Sequence, residues 1–93
     1  MAKLTAREIK EALPALPHWK KKGDAIVRTF QFADFPGAIK FVNAVAKEAE
    51  KAWHHPDIDI RWNKVVLALT THDLGGLTEK DFSLARTFDR LAK

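Results

Sequence analysis

The 93-residue chain contains no cysteine, and it has no apolar run long enough to cross a bilayer. Without cysteine there are no disulfides, no thiolate nucleophile and no cysteine-ligated metal site. This composition is typical of a reducing cytosol, and we expect a cytoplasmic protein. The N-terminal residues lack the basic and apolar segments of a secretory signal, so export by that route and membrane insertion are not expected.

Basic residues outnumber acidic ones, 16 against 12, which gives a formal net charge of +4. Such a balance can attract nucleic acid or anionic ligands. The basic run Lys20–Lys22 has only Trp19 as an aromatic neighbour, which favours a solvated hairpin rim, and we expect no nucleic-acid partner. The hydrophobic fraction of 46% excludes a disordered chain, and the length predicts a single domain over residues 1–93.

Three helices are predicted from their capping residues and apolar spacing. The first begins at a capping box on Thr5, the second at Asp34 and the third at Thr78. The second helix is expected to end near His54, because the residue before Pro56 is pushed out of the helical region. Residues spaced three to four apart predict its core-facing stripe: Phe35, Ile39, Val42, Ala46, Ala49 and Trp53.

Alternation of apolar and polar residues predicts two antiparallel pairs of strands. The first pair turns at 22–24 and the second at Asn63–Lys64, with His72 at the end of the last strand. On that strand His72 is expected to point away from the apolar row that contains Leu67. The elements follow the order α-β-β-α-β-β-α. We therefore predict an α+β fold in which three helices pack on one face of a four-stranded antiparallel sheet.

Three histidines suggest a site. His54 and His55 are adjacent at the predicted helix-to-strand corner, and His72 follows the last strand. Imidazole titrates near neutral pH, so one ring can protonate a leaving group while another removes a proton. Three histidines can also bind zinc, but adjacent side chains tend to diverge and the short zinc spacings are absent, so no metal is expected. The structural alternative has His55 packed on Pro56 and His72 as a hydrogen-bonded strand residue.

Two carboxylates accompany the histidines. Asp81 is the third residue of the helix opened by Thr78, a position where a carboxylate caps free amides, so a capping role and a functional role are both open. Glu50 lies about one turn before His54 and either orients a ring or is exposed. Trp62 is expected in the core or an interface rather than against a substrate.

From Glu50 to Asp81 the residues follow the spacing E-x3-H-H-P-x5-W-x9-H-x8-D, which resembles the signature of the pterin-4a-carbinolamine dehydratases. The segments 63–65, 71–72 and 76–78 also look like that family, as does the Phe30-x-Phe32 strand. The resemblance covers nearly the whole chain. A motif of seven spaced positions is far more specific than a lone pair of histidines.

The resemblance implies an enzyme that dehydrates 4a-hydroxytetrahydrobiopterin to quinonoid dihydrobiopterin with no metal or cofactor. The catalytic residues would be three histidines, with His54 and His72 as the acid/base pair and His55 orienting the pterin. Glu50 and Asp81 would support them. The residues expected to line the pterin pocket are Trp53, His54, His55, Thr70, Thr71, His72 and Asp73.

Two residues depart from the pattern of that family. Trp53 stands where members often carry an acidic or amide residue, and Ile58 stands where they often carry tryptophan. The first change removes a polar pocket contact and the second an aromatic wall, so the fit of the substrate is expected to differ. The resemblance also implies a homodimer or homotetramer. The alternative function is a non-catalytic binding module that acts as a dimerisation cofactor or regulator of a partner protein.

Overall fold

Helices and pairs of strands alternate along the chain, and the computed structural model describes residues 2–92. Two short 3-10 helices, Leu13–Ala15 and His72–Leu74, lie between the regular elements. The regular elements are α1 (Ala6–Ala12), β1 (Lys20–Lys22), β2 (Ala25–Gln31), α2 (Phe35–Ala52), β3 (Asp57–Arg61), β4 (Lys64–Leu69) and α3 (Glu79–Leu91). The predicted α+β class and order of elements are confirmed.

The four strands form one antiparallel sheet in the order β1-β2-β4-β3. The central pair, β2 and β4, places its buried residues on the face covered by the helices, and these are Ile26, Phe30, Val65, Leu67 and Leu69. The edge strand β1 consists of three exposed lysines. Lysines on a short edge strand hinder pairing with another chain, which agrees with a solvated rim.

The predicted helix starts are confirmed by their capping bonds. At α1 the Thr5 hydroxyl accepts from the Glu8 amide at 3.1 Å, and the Glu8 carboxylate accepts from the Thr5 amide at 2.8 Å. At α2 the Asp34 carboxylate accepts from the Gly37 amide at 2.8 Å. These bonds satisfy amides that have no partner inside the helix, so short polar side chains fix where each helix begins.

The core-facing side of α2 differs from the predicted stripe. Its buried residues are Ala38, Phe41, Val45 and Ala49. The two ends of the predicted stripe are exposed, Phe35 to 47% and Trp53 to 79%. The Phe41 ring lies 4.7 Å from that of Phe30 and 5.0 Å from that of Phe32, measured between centroids. This aromatic contact with β2 turns the Phe41 side inward, and only Ala49 of the predicted stripe is fully buried.

The connection between β3 and β4 lies one residue earlier than predicted. Lys64 already pairs with Arg61, so the loop is Trp62–Asn63 rather than Asn63–Lys64. Trp62 has a φ of 54° and is 70% exposed, so it does not lie in the core, and the alternative that it lies in an interface stays a prediction. Asn63 anchors the loop, because its side-chain amide donates to the Phe32 carbonyl at 2.8 Å.

An ion pair holds the second half of α3 against the sheet. Asp89 accepts hydrogen bonds from the Trp19 indole at 2.8 Å and from the Arg28 guanidinium at 2.6 Å. That guanidinium also lies 4.1 Å from the centroid of the Phe30 ring. Within residues 2–92, no helix has both the length and the apolar composition needed to span a membrane.

Two phenylalanines on α2 test which side of the helix faces the core. Phe41→Ala removes a ring that is 4% exposed, and it is expected to lower the free energy of unfolding by about 3–5 kcal/mol. Phe35→Ala, at a half-exposed position, is expected to cost about 1 kcal/mol or less. Urea denaturation followed by circular dichroism measures both values. Equal losses would mean that the helix is rotated relative to this description.

Candidate active site

The end of α2 makes the corner on which the histidines lie. Trp53 has a φ of 52°, and its amide donates to the Glu50 carbonyl at 3.2 Å, while the His54 amide donates to the Ala49 carbonyl at 3.1 Å. This is the Schellman pattern, in which a left-handed residue reverses the chain after the last helical turn. Pro56 then prevents further helix. The corner turns His54 back toward α3.

His54 is fixed by a buried carboxylate. Its Nε2 lies 2.5 Å from Oδ1 of Asp81, and Asp81 is fully buried while the His54 side chain is 11% exposed. The other carboxylate oxygen, Oδ2, accepts from the Thr71 hydroxyl and from the Thr78 amide, each at 2.9 Å. Asp81 therefore caps α3 and also contacts the His54 ring, so the capping role is confirmed and the functional role stays a prediction.

The hydrogen bond to Asp81 also determines which nitrogen of His54 is free. With Nε2–H donating to the carboxylate, Nδ1 is the nitrogen left to exchange a proton. The Thr71 hydroxyl already donates its proton to Asp81. The Thr78 hydroxyl lies 2.9 Å from it and is therefore the donor in the bond between the two hydroxyls. Asp81 is therefore the final acceptor of these hydrogen bonds. They give the His54 ring one tautomer and one orientation.

The other two histidines are held less firmly. His55 Nε2 lies 2.8 Å from Oε1 of Glu50, and both side chains are more than half exposed. His72 is exposed and, among the residues that the structure describes, makes no side-chain hydrogen bond. It lies in the 3-10 helix after β4, which ends at Leu69, so the prediction of a strand position for His72 is wrong. Both nitrogens of His72 are available.

Backbone bonds keep His72 in place. The amide of Thr71 donates to the Gly76 carbonyl at 2.9 Å, and the amide of Gly75 donates to the His72 carbonyl at 3.1 Å. Gly75 has a φ of 65°, a conformation that glycine adopts without steric cost. These bonds close a tight loop over residues 71–76, which ends β4 early and turns His72 toward the α2 corner.

The corner and this loop enclose a cavity of about 240 Å³. Its lining residues are the seven expected at the pocket: Trp53, His54, His55, Thr70, Thr71, His72 and Asp73. The hydroxyl protons of Thr70 and Thr71 are already donated, to the Asp24 carbonyl and to Asp81 respectively. These threonines therefore offer a bound molecule their oxygen atoms and backbone rather than a free hydroxyl proton.

A second cavity of about 300 Å³ adjoins the first and shares Trp53, His54, Thr71 and Asp73 with it. Its remaining lining residues are Leu74 and Lys80. Neither residue was identified as a site residue from the sequence. Lys80 directly precedes Asp81 in the chain, and this adjacency is the signal that could have drawn attention to it.

The cavity is lined by one firmly oriented imidazole and two more accessible ones, and the buried carboxylate of Asp81 holds the first. Across residues 2–92, no group of three histidine or acidic side chains has an arrangement that could hold a metal ion. Separate imidazoles at one cavity are suited to moving protons to and from a bound molecule. The fold and site together define a small α+β protein with three histidines at one cavity.

Comparison with known proteins identifies the family. Residues 2–91 match the family model of the pterin 4 alpha carbinolamine dehydratases, and the chain belongs to that family. A Chloroflexus aurantiacus protein, provisionally named a pterin-4-alpha-carbinolamine dehydratase, is 58% identical over 91 residues, 98% of each chain. A protein of the same provisional name from Acidobacterium capsulatum is 56% identical over 91 residues, which cover 98% of this chain and 99% of that one.

Solved structures share the fold. A Brucella melitensis crystal structure described as a transcriptional coactivator/pterin dehydratase has a TM-score of 0.95 and 40% identity, covering 99% of this chain and all of that one. A pterin dehydratase-like protein described as a RuBisCO assembly factor of the alpha-carboxysome has a TM-score of 0.67 at 24% identity. It covers 80% of this chain and 86% of its own, and this likeness concerns the fold alone.

Removal of the buried carboxylate tests the network around His54. Asp81→Ala leaves three donors without an acceptor, and it is expected to lower the free energy of unfolding by about 3–5 kcal/mol. Asp73→Ala, at an exposed carboxylate of the same cavity, is the control and is expected to change it by about 0.5 kcal/mol or less. Thermal and urea unfolding measure both. If Asp81→Ala is as stable as the control, the network does not hold the fold together.

Proposed function

We propose that this protein dehydrates 4a-hydroxytetrahydrobiopterin to quinonoid dihydrobiopterin by general acid–base catalysis. The observation that carries the proposal is the cavity at which His54, His55 and His72 meet while Asp81 fixes the first of them. Membership of the carbinolamine dehydratase family supports the substrate class. The reaction consumes no reductant or oxidant, so it requires only proton transfer.

In the proposed reaction, one imidazole donates a proton to the C4a hydroxyl, the C4a–O bond breaks and water leaves. The other imidazole removes a proton from a ring nitrogen, and the electron pair of that N–H bond completes the new double-bond system at C4a. His54 and His72 form this pair. General acid or base assistance of this kind contributes about 10²–10⁴ in rate for each group.

The remaining residues of the cavity bind and orient the pterin. His55, held by Glu50 at 2.8 Å, keeps its other nitrogen free for a hydrogen bond to the substrate. The oxygens of Thr70 and Thr71 and the carboxylate of Asp73 accept hydrogen bonds from the ring N–H and amino groups. A pterin presents several such donors along one edge, so an acceptor-rich rim complements it.

Trp53 supplies a flat wall to the same cavity. Its indole is largely exposed, which leaves a large apolar surface in water. Its backbone has a left-handed conformation, which costs a non-glycine residue about 1–2 kcal/mol. Stacking on a flat bicyclic ring compensates for both features when substrate is bound. Trp53 thereby takes over the role of an aromatic wall, which Ile58 cannot supply.

The acid/base pair is tested with three alanine variants. His54→Ala and His72→Ala are each expected to lower kcat by at least about 10² while circular dichroism stays native. His18→Ala is the matched control, because His18 is exposed and lies outside the cavity, and it is expected to retain full activity. Decay of enzymatically generated 4a-hydroxytetrahydropterin, followed by absorbance, measures the rates. Full activity of both cavity variants would contradict the acid/base assignment.

The wall is tested by exchanging each left-handed tryptophan for glycine. Trp53→Gly is expected to leave the free energy of unfolding unchanged or raise it by up to about 1 kcal/mol, because glycine tolerates the left-handed conformation. The same change is expected to weaken pterin binding about threefold to tenfold through loss of stacking. Trp62→Gly, at a residue of similar φ and exposure outside the cavity, is the control and should bind normally. Equal binding by both variants would argue against a wall at Trp53.

A binding module remains the second candidate. The descriptions of two proteins of this fold, as a transcriptional coactivator/pterin dehydratase and as an assembly factor, favour it. For this chain, such a role would act through a partner protein rather than through the histidines. The two functions separate in the His54→Ala variant, which would lose dehydration but keep a partner that binds the wild-type protein.

A further inference from the structure

A cavity of about 500 Å³ lies beside the β1–β2 hairpin and shares no lining residue with the histidine cavity. Its volume is within the range of about 300–1,000 Å³ that is typical of small-molecule sites. Basic side chains dominate its wall, namely Lys20, Lys21, Lys22 and Arg28. The proposed dehydration uses none of these residues, so the hairpin cavity is separate from that reaction.

The hairpin cavity follows from the unequal lengths of its two strands. β1 pairs with residues 25–27 only, whereas β2 continues to Gln31. The edge of β2 from Arg28 onward therefore has no strand beside it within residues 2–92. Arg28 and Thr29 line the cavity at this step in the sheet. The short β1 strand thus leaves space beside β2 and places its own lysines around that space.

The wall of the hairpin cavity carries positive charge that no carboxylate balances. No acidic residue lines it, and in the described part of the chain the three lysines of β1 form no ion pair. Lys21 donates to the Gly23 carbonyl at 2.7 Å, which orients its side chain but leaves its charge uncompensated. Arg28, by contrast, is paired with Asp89 at 2.6 Å. Three uncompensated ammonium groups therefore line one space.

Arg28 adds an unused hydrogen-bond donor to this wall. Its bond to Asp89 and its contact with the Phe30 ring fix the guanidinium, yet its Nε is buried and has no hydrogen-bond partner among residues 2–92. A buried donor without an acceptor is destabilising, and it is rare in native structures. Protection of an edge strand accounts for exposed lysines on β1, but it explains neither this unpaired nitrogen nor a wall without carboxylates. An anion that reaches Nε would supply the missing acceptor.

We infer that the hairpin cavity binds the phosphate chain of an oligophosphate. Lys20 and Lys22 are two residues apart on one strand, which separates their Cα atoms by about 6.6 Å, so they match a row of linked phosphates better than one compact phosphate. Hydrogen bonds from ammonium groups to phosphate oxygens are short and strong because both partners are charged. No phenylalanine or tryptophan lines the cavity, and the neighbouring Trp19 is buried. The site therefore recognises the phosphates and not an attached nucleoside.

Isothermal titration calorimetry at constant ionic strength and without divalent cations tests the site with three probes: inorganic phosphate, tripolyphosphate and ATP. Tripolyphosphate is expected to bind about tenfold or more tightly than inorganic phosphate, because it engages further ammonium groups. ATP carries the same three phosphates, and it is expected to bind within about threefold of tripolyphosphate, since no aromatic platform is present for its base. Absence of tripolyphosphate binding, equal binding of inorganic phosphate, or much tighter binding of ATP would overturn the inference.

Paired substitutions separate a site from general attraction to a basic protein. Lys20→Gln combined with Lys22→Gln is expected to weaken tripolyphosphate binding about tenfold or more, because two charge-assisted hydrogen bonds are lost. Lys10→Gln combined with Lys47→Gln is the matched control, because it lowers the net charge equally at exposed residues outside the cavity, and it should bind normally. Equal weakening in the two pairs would overturn the inference. Lys20→Arg combined with Lys22→Arg keeps both charges and should retain most of the affinity.

Two further variants locate the anion. Thr29→Glu places a carboxylate on the wall of the hairpin cavity, and it is expected to abolish tripolyphosphate binding while circular dichroism stays native. Lys80→Gln, beside the histidines, should bind normally. A loss in Lys80→Gln, with Thr29→Glu unaffected, would place the anion at the other cavity and overturn the inference. These titrations do not depend on carbinolamine dehydration, so failure of the hairpin site leaves the proposed function standing, and the reverse also holds.

Discussion

The structure depends on one buried carboxylate. Asp81 accepts hydrogen bonds from the end of α2 through His54, from the loop after β4 through Thr71, and from the start of α3 through Thr78. A buried charge is tolerated only when it is fully paired, so these three segments must meet at one point. The candidate site therefore lies where the buried carboxylate of Asp81 finds its hydrogen-bond donors. The same bonds that join the three segments also orient the ring of His54.

Sequence reasoning succeeded where the signal was local. Adjacent histidines before Pro56 indicated the corner, and caps such as Thr5 and Asp34 gave the helix starts, because each depends on residues a few positions apart. The face of α2 that packs against the core could not be predicted in the same way. Its stripe was anchored on the large residues Phe35 and Trp53, whereas packing of Phe41 against β2 decided the rotation, and that contact joins distant parts of the chain.

Two residues that break local preferences line the cavities beside the histidines. Trp53 occupies a left-handed position that usually takes glycine, and Lys80 occupies a helix start that usually takes an acidic residue. From sequence alone each reads as an ordinary surface residue, because the rule it breaks is visible only once the backbone is known. Lys80 was missed for this reason. Trp62 has the same left-handed conformation and lies outside the cavity, so such an exception indicates a site only where other residues of the site surround it.

The three histidines differ in how far the fold relies on them. His54 is bound into the buried network, whereas the exposed His72 side chain makes no hydrogen bond among the residues that the structure describes. A lineage under no pressure for chemistry could therefore replace His72 without loss of stability, while exchange of His54 or Asp81 would remove bonds of the buried network and make the folded protein less stable. Divergence toward a purely scaffolding role would thus begin at His72. Descendants of such a chain would keep His54 and Asp81 for their part in the architecture after His72 had been lost.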